Sequence, residues 1–154
     1  MLTSGDTAPS FSGRDQNGAT IRSDELLARG PVILFFYPKD FTPGCTREAC
    51  LFRDAFEELG GLGATIVGVS ADDEASHKRF AERYALPFSL LTDEGRALAK
   101  AYGIVWPLGL GAKRATFVIG GDGRVRGVFH HELSMDKHVQ GVRALLAPLR
   151  KPTS

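Results

Sequence analysis

Hydrophobic and polar positions along the chain fall into segments of two different periods. Val32–Tyr37 is an unbroken apolar run stopped by Pro38, the pattern of a strand covered on both faces. Ala64–Ser70 reads the same way, and Phe88–Leu91 is a shorter extended piece. Elsewhere the period lengthens. Cys45, Ala49, Phe52, Phe56 and Leu59 recur at one-face helical spacing and predict a helix over Cys45–Leu59 that Gly60-Gly61 ends. Asp73–Tyr84 and Glu94–Tyr102 read as two more helices, the latter closed by Gly103. Asn17-Gly18 predicts a hairpin within Phe11–Arg22. Ala115–Ile119 and Val125–Phe129 flank Gly120-Gly121-Asp122-Gly123 and predict a second one. Val139, Val142, Leu145, Leu146 and Leu149 then stripe a C-terminal helix. This alternation predicts an α/β fold, a central mixed sheet flanked by helices. With no internal repeat, residues 1–150 read as a single domain and 151–154 as a short tail.

Composition narrows the function without naming it. The chain has 154 residues, 43% hydrophobic and 24% charged, which is enough to bury a core and excludes wholesale disorder. A formal charge of +1 supplies no field for nucleic acid or an anionic membrane. No apolar run approaches the roughly 20 residues that span a bilayer. Met1–Asp6 lacks the basic start and apolar core of a signal peptide, so a cytoplasmic protein is expected, with neither nucleic acid nor membrane as partner. Its two cysteines are no disulfide scaffold, and in a reducing compartment such a pair points to chemistry more often than to stapling.

Candidate chemistry concentrates in Pro38–Cys50. Proline favours the first helical position, so Pro43 makes Thr42 the N-cap, its hydroxyl expected to bond the backbone N–H of Gly44 or Cys45. Cys45 falls in the first turn, where orphan N–H groups and the helix dipole favour an anion, here a thiolate. The same spacing would also bury Cys45 as a small hydrophobe. The Thr-Pro-Gly flank and the second cysteine decide for a nucleophile. Cys50 lies about 140° further round the helix, on the face of Arg53, Asp54 and Glu57. Ideal geometry separates the two Cα atoms by about 8.7 Å, beyond the roughly 7 Å that a disulfide bridges. Either Cys50 is a surface thiol without a role, or the helix unwinds to let the two meet. An idle exposed thiol is a liability, which favours unwinding.

Other constellations are weaker. His77, His130, His131 and His138 show no cysteine or carboxylate framework, and adjacent His130-His131 point to opposite faces, so no metal is expected. A Cys–His hydrolase would leave Cys50 without a function. Gly109-Leu110-Gly111-Ala112-Lys113 lacks the Gly-Lys-Ser/Thr ending of a phosphate loop. A disulfide reductase would want Cys-x-x-Cys, and a redox-sensing module would stop after about one equivalent of oxidant.

The run from Phe35 to Cys50, Phe-Phe-Tyr-Pro-Lys-Asp-Phe-Thr-Pro-Gly-Cys-Thr-Arg-Glu-Ala-Cys, resembles the signature of the peroxiredoxins, specifically the bacterioferritin comigratory protein or peroxiredoxin Q branch. Gly5–Phe11, Gly68–Asp72, Ser76-His77, Leu86–Leu91 and Tyr102–Ile104 also match that branch. The resemblance implies a thioredoxin-like fold and reduction of hydrogen peroxide and organic hydroperoxides. It also implies electrons drawn from thioredoxin or a similar dithiol protein, and it calls for no metal, haem or flavin; the reading is of a monomeric enzyme. On the same resemblance Cys45 is the peroxidatic cysteine and Cys50 the resolving one, the two joining as an intramolecular disulfide. Thr42 orients the peroxide, Pro38 shields the thiolate, Arg114 steadies thiolate and peroxide, and Glu48 orients Arg114. Two features depart from the usual pattern: the short apolar segment Trp106–Ala112, and Ala115 in place of a serine.

Overall fold

The structure, a computed structural model, describes residues 1–109, 111–130 and 135–146. His131, Leu149 and the 151–154 tail, with the boundary drawn before it, lie outside the described residues. The chain opens with an antiparallel pair, β1 (Ser12–Arg14) and β2 (Thr20–Arg22), about the expected Asn17-Gly18 turn, then a short helix α1 (Ser23–Leu27) that the pattern did not reveal. Next come β3 (Val32–Phe36), α2 (Pro43–Asp54), α3 (Phe56–Gly61), β4 (Thr65–Ser70) and α4 (Glu74–Tyr84). After β5 (Ser89–Thr92) and a 3₁₀ turn follow α5 (Ala97–Ala101), β6 (Ala115–Ile119), β7 (Val125–Phe129) and α6 (Met135–Leu146).

The five-stranded sheet has the order β5-β4-β3-β6-β7. β3, β4 and β5 run parallel, whereas β6 and β7 are antiparallel additions. β3 is central and buried along its whole length, as its unbroken apolar run requires. Its alternate residues feed two cores. Ile33, Phe35 and Tyr37 pack beneath α2, α3, α4 and α6; Val32, Leu34 and Phe36 pack on the other face with Leu26 of α1 and Ala99 of α5.

The predicted single helix over Cys45–Leu59 is two helices. Ala55, at φ −93° and ψ 1°, breaks it between α2 and α3. That break shifts the inward phase by one residue: Ala55 is buried, whereas Phe56, placed inside by uninterrupted periodicity, is 36% exposed. The stretch over Glu94–Tyr102 is likewise a 3₁₀ turn plus α5, divided at Arg96, which has a positive φ of 56°.

Gly68 aligns with Phe35 on one side and Leu90 on the other. A Cβ there would come within 2.8 Å of both Phe35 Cζ and Leu90 Cδ2. Phe35 in turn stacks on Phe52 of α2 at a centroid distance of 4.8 Å, so this glycine makes room for the ring on which α2 rests. Gly68→Ala is expected to cost about 1–3 kcal/mol by overpacking, read as a lower urea midpoint at unchanged m-value.

Candidate active site

Because β3, β4 and β5 are parallel, their C-terminal ends share one rim, where functional loops of α/β sheets gather. The loop from β3 to α2 starts there. Pro38 and Lys39 are exposed on it, while Tyr37 and Asp40 on either side are buried. Asp40 is the brace. Its Oδ1 accepts from the Tyr37 hydroxyl at 2.6 Å, and its Oδ2 accepts from Ser76 Oγ at 2.8 Å and faces His77 Nδ1 at 2.7 Å. The Asp40 backbone N–H donates to Asp72 Oδ2 at 2.8 Å. Burial and the adjacent Asp40 carboxylate hold the Tyr37 phenol well above its ordinary pKa, so it remains a donor. His77 therefore does have a carboxylate framework, contrary to the reading of the sequence, with the Asp40, Asp72 and His77 ligand atoms all within 4.8 Å. Those carboxylate oxygens face hydrogen-bond donors of the loop brace. Next to Asp40, Phe41 adopts a left-handed φ of 66°, its ring edge-on to Phe80.

The turn at Phe41 changes what Thr42 does. Thr42 is the N-cap residue by backbone geometry, with Pro43 opening α2, yet its side chain does not cap. Its hydroxyl donates back to the Lys39 carbonyl at 2.9 Å, which the turn brings within reach. The first-turn N–H groups thus receive no side-chain cap and remain available to an anion at this end of α2.

Arg114 immediately precedes β6, and the period of two puts Arg114, Thr116 and Val118 on the sheet face covered by α2 and α6. Its Nη2 donates to Cys45 Sγ at 3.2 Å and its Nη1 to Glu48 Oε1 at 2.9 Å. Glu48 lies three residues after Cys45, on the same face of α2. All three are buried, with 1% of Cys45, 0% of Glu48 and 5% of Arg114 exposed. Burial works against the guanidinium charge, but Glu48 and Cys45 outweigh it and raise the Arg114 pKa. Gly44 leaves this approach uncrowded: a Cβ there would lie 3.1 Å from Arg114 Nη2, close enough to displace the guanidinium by a few tenths of an ångström.

The structure therefore brings Cys45, Glu48 and Arg114 into one cluster at the start of α2, with Thr42 beside it at the cap. Pro38 sits apart, exposed at the head of the loop. Cys50 is half-buried further along α2, and both cysteines are free thiols. Sequence reasoning missed His138, whose Nδ1 lies 2.8 Å from Thr116 Oγ1 and 3.3 Å from Glu48 Oε2, fully buried. A signal existed: Met135, His138, Val139 and Val142 share one helical stripe, so His138 is a polar residue on an inward face. Of the segment departing from the usual pattern, Trp106 lies under the Lys113 ammonium at 4.9 Å and Leu108 is 96% exposed.

Comparison with known proteins finds relatives over nearly the whole chain. The AhpC/TSA family pattern matches residues 4–128. Peroxiredoxin Q, chloroplastic, from Populus jackii is 40% identical over 149 residues, covering 96% of this chain and 70% of the relative. The rice (Oryza sativa subsp. japonica) protein of the same name is also 40% identical, covering 96% and 68%. Among solved structures, peroxidoxin BcpB from Mycobacterium tuberculosis superposes with a TM-score of 0.91 at 40% identity, covering 98% of this chain and 100% of that one. Xanthomonas campestris peroxiredoxin Q gives a TM-score of 0.83 at 30% identity, covering 92% of each. A thioredoxin-like α/β sheet carrying a buried, arginine-paired cysteine at a helix start thus meets its relatives over nearly its full length, and the chain belongs to the AhpC/TSA family as a thiol-dependent peroxidase of the peroxiredoxin Q branch.

Proposed function

We propose that Cys45 is the peroxidatic nucleophile and Arg114 the group that stabilises both its thiolate and the peroxide. The contact of Arg114 Nη2 with Cys45 Sγ at 3.2 Å, in a water-poor site, carries this reading. In such a site a fixed cation favours the charged sulfur far more than it would in water. The thiolate attacks the terminal peroxide oxygen. The O–O bond breaks, the departing oxygen takes a proton and leaves as water or alcohol, and Cys45 becomes a sulfenic acid. In this scheme the uncapped N–H groups of the first turn and the Thr42 hydroxyl, once it leaves the Lys39 carbonyl, orient the peroxide, and Pro38 shields the thiolate. Glu48 orients Arg114 by binding its other amino group.

Cys50 then attacks the Cys45 sulfur, the sulfenic oxygen departs as water, and a Cys45–Cys50 disulfide forms. Two cysteines five apart on an intact α2 cannot bond, so α2 must unwind around residues 45–50 first. An external dithiol, which we take to be thioredoxin or a close analogue, reduces the disulfide by exchange. Hydrogen peroxide and organic hydroperoxides both fit this scheme, and the enzyme works as a monomer.

Three variants, read through NADPH oxidation coupled to thioredoxin and its reductase, and one oxidised species test this reading. Cys45→Ser abolishes turnover; retained turnover refutes the nucleophile. Arg114→Lys loses about a hundredfold in kcat/KM because an ammonium lacks the fork that holds sulfur and carboxylate together. Gly44→Ala pushes the guanidinium off Cys45 and loses at least about tenfold while leaving the melting temperature near that of the parent. Mass spectrometry of peroxide-treated protein shows a Cys45–Cys50 disulfide within one chain, with faster amide exchange over residues 45–53 that dithiothreitol reverses. A disulfide-linked dimer as the main product refutes the local unwinding.

A further inference from the structure

Ser76-His77 belongs to the pattern shared with the peroxiredoxin Q branch, yet no role falls to it in the reaction proposed above. Both residues sit in the first turn of α4, a helix start built differently from that of α2. Asp73 caps it, its side chain accepting from the Ser76 backbone N–H at 2.8 Å. One turn further along, Phe80 is fully buried in the core that α2 also covers. The His77 ring is therefore delivered from a capped and well-packed helix. None of His77 is exposed, and only 4% of Asp40, the residue it meets on the loop before α2.

The ring spans two elements. Its Nε2 lies 3.2 Å from the Leu91 carbonyl of β5, and its Nδ1 lies 2.7 Å from Asp40 Oδ2. A carbonyl offers only lone pairs, so Nε2 carries a hydrogen. Two bare lone pairs would repel across 2.7 Å, so a second proton lies between Nδ1 and Oδ2. His77 thus ties Asp40 to the backbone of the outermost parallel strand. What Asp40 fixes passes on to Cys45 through few soft dihedrals. Phe41 sits in the left-handed region, the Thr42 hydroxyl holds the Lys39 carbonyl, and Pro43 has its φ set by its ring. The Thr46 N–H then donates to the Thr42 carbonyl at 2.8 Å and closes the first turn around Cys45.

We propose that His77 is a positioning residue for the peroxidase reaction: by tying Asp40 to the β5 backbone it holds the loop before α2, and through that loop the first turn and Cys45, in the placement that meets peroxide. The same tie sets the balance between the two halves of the cycle. Peroxide attack needs the first turn of α2 formed, whereas disulfide formation needs it open. Loosening Asp40 therefore slows the first step and hastens the second. This opposition of signs separates positioning of the loop from a simple loss of chemistry at the sulfur. The inference rests on the proposed role of Cys45 and on the proposed unwinding of α2.

The test uses the full-length protein and compares His77→Asn with His77→Gln. The asparagine amide nitrogen falls near Nδ1 and donates to Asp40, whereas the glutamine amide reaches toward the Leu91 carbonyl and leaves Asp40 without that donor. Two quantities are read: kcat/KM for hydrogen peroxide, and the fraction of Cys45 sulfenic acid that dimedone captures after one equivalent of peroxide. Glutamine is expected to lower kcat/KM about tenfold with KM for thioredoxin unmoved, because the first turn is displaced. It also cuts the captured fraction about threefold, the worth of one lost hydrogen bond, as α2 opens sooner and Cys50 reaches the sulfur first. Asparagine stays close to the parent in both. Ile104→Val, which lowers stability from the core on the other face of the sheet, moves neither. Should the glutamine variant not fold, Ser76→Ala, which removes the other donor to Asp40 Oδ2, shifts both quantities the same way. A glutamine or Ser76→Ala variant matching the parent, an asparagine variant as impaired as glutamine, or Ile104→Val reproducing the pattern overturns the proposal. If Cys45→Ser keeps turnover, the catalytic reading fails instead. If Cys45→Ser is inactive and peroxide still yields the Cys45–Cys50 disulfide while the His77 pair does not separate, only the positioning role falls.

Discussion

One guanidinium, shared between a carboxylate and a thiol out of reach of water, is the constraint around which this protein is arranged. Burying any one of Arg114, Glu48 or Cys45 as a charged group would cost several kcal/mol unless its partners were present. Together they pair through contacts of 2.9 and 3.2 Å. Each comes from an element that must be held in register, with α2 supplying Glu48 and Cys45 and the start of β6 supplying Arg114. The antiparallel pairing of β6 with β3 sets Thr116 opposite Phe35, and Phe35 carries Phe52 of α2 on its ring. Sheet register and ion-pair geometry are therefore a single constraint, and a slip of one residue along β6 would turn Arg114 to the opposite face.

A second device fixes the loop that delivers the cysteine. Asp40 gathers Tyr37, Ser76 and His77 on its carboxylate, and its own amide is held by Asp72, so the loop after β3, α4 and the β4–α4 loop meet on one residue. The anchor lies before the turn at Phe41, and the reactive sulfur lies after it. The chain is thus clamped upstream of the site, while the first turn of α2 bears no side-chain cap. Rigidity and lability sit within a few residues of each other.

Much of this could be read from residue pattern. The apolar run of β3, the two glycine-bearing hairpins and the position of Cys45 in the first turn of a helix all follow from local chemistry, and they stand in the structure. Failures occurred where tertiary packing overrides local preference. Ala55 carries no helix-breaking chemistry, so nothing local marks the division of α2 from α3 that turns Phe56 outward. Thr42 is a good capping residue, but the left-handed Phe41 beside it redirects its hydroxyl to Lys39. His138 and the Asp40 cluster join residues tens of positions apart, and neither period nor motif reports which side chains a fold will bring together. Arg114 was legible only through resemblance, as one of 19 basic residues in the chain.

The break at Ala55 bears on how quickly the enzyme can be used again. Starting a helix is the slow and unfavourable step, because several residues must be ordered before the first hydrogen bond repays them; extending an existing helix is fast. If the start of α2 opens so that Cys45 can reach Cys50, the remainder of α2 is still held by Phe52 against Phe35, and α3 by the buried Leu59. The interruption at Ala55 uncouples the two helices, so fraying of one does not run through a continuous ladder into the other. On the proposed cycle the turn Leu51–Ala55, closed by the Ala55 N–H on the Leu51 carbonyl, is left as a helical seed. Rebuilding the nucleophile's environment after reduction is then propagation from that seed toward Pro43, a process of nanoseconds per residue, and chain ordering need not limit the return to the reactive state.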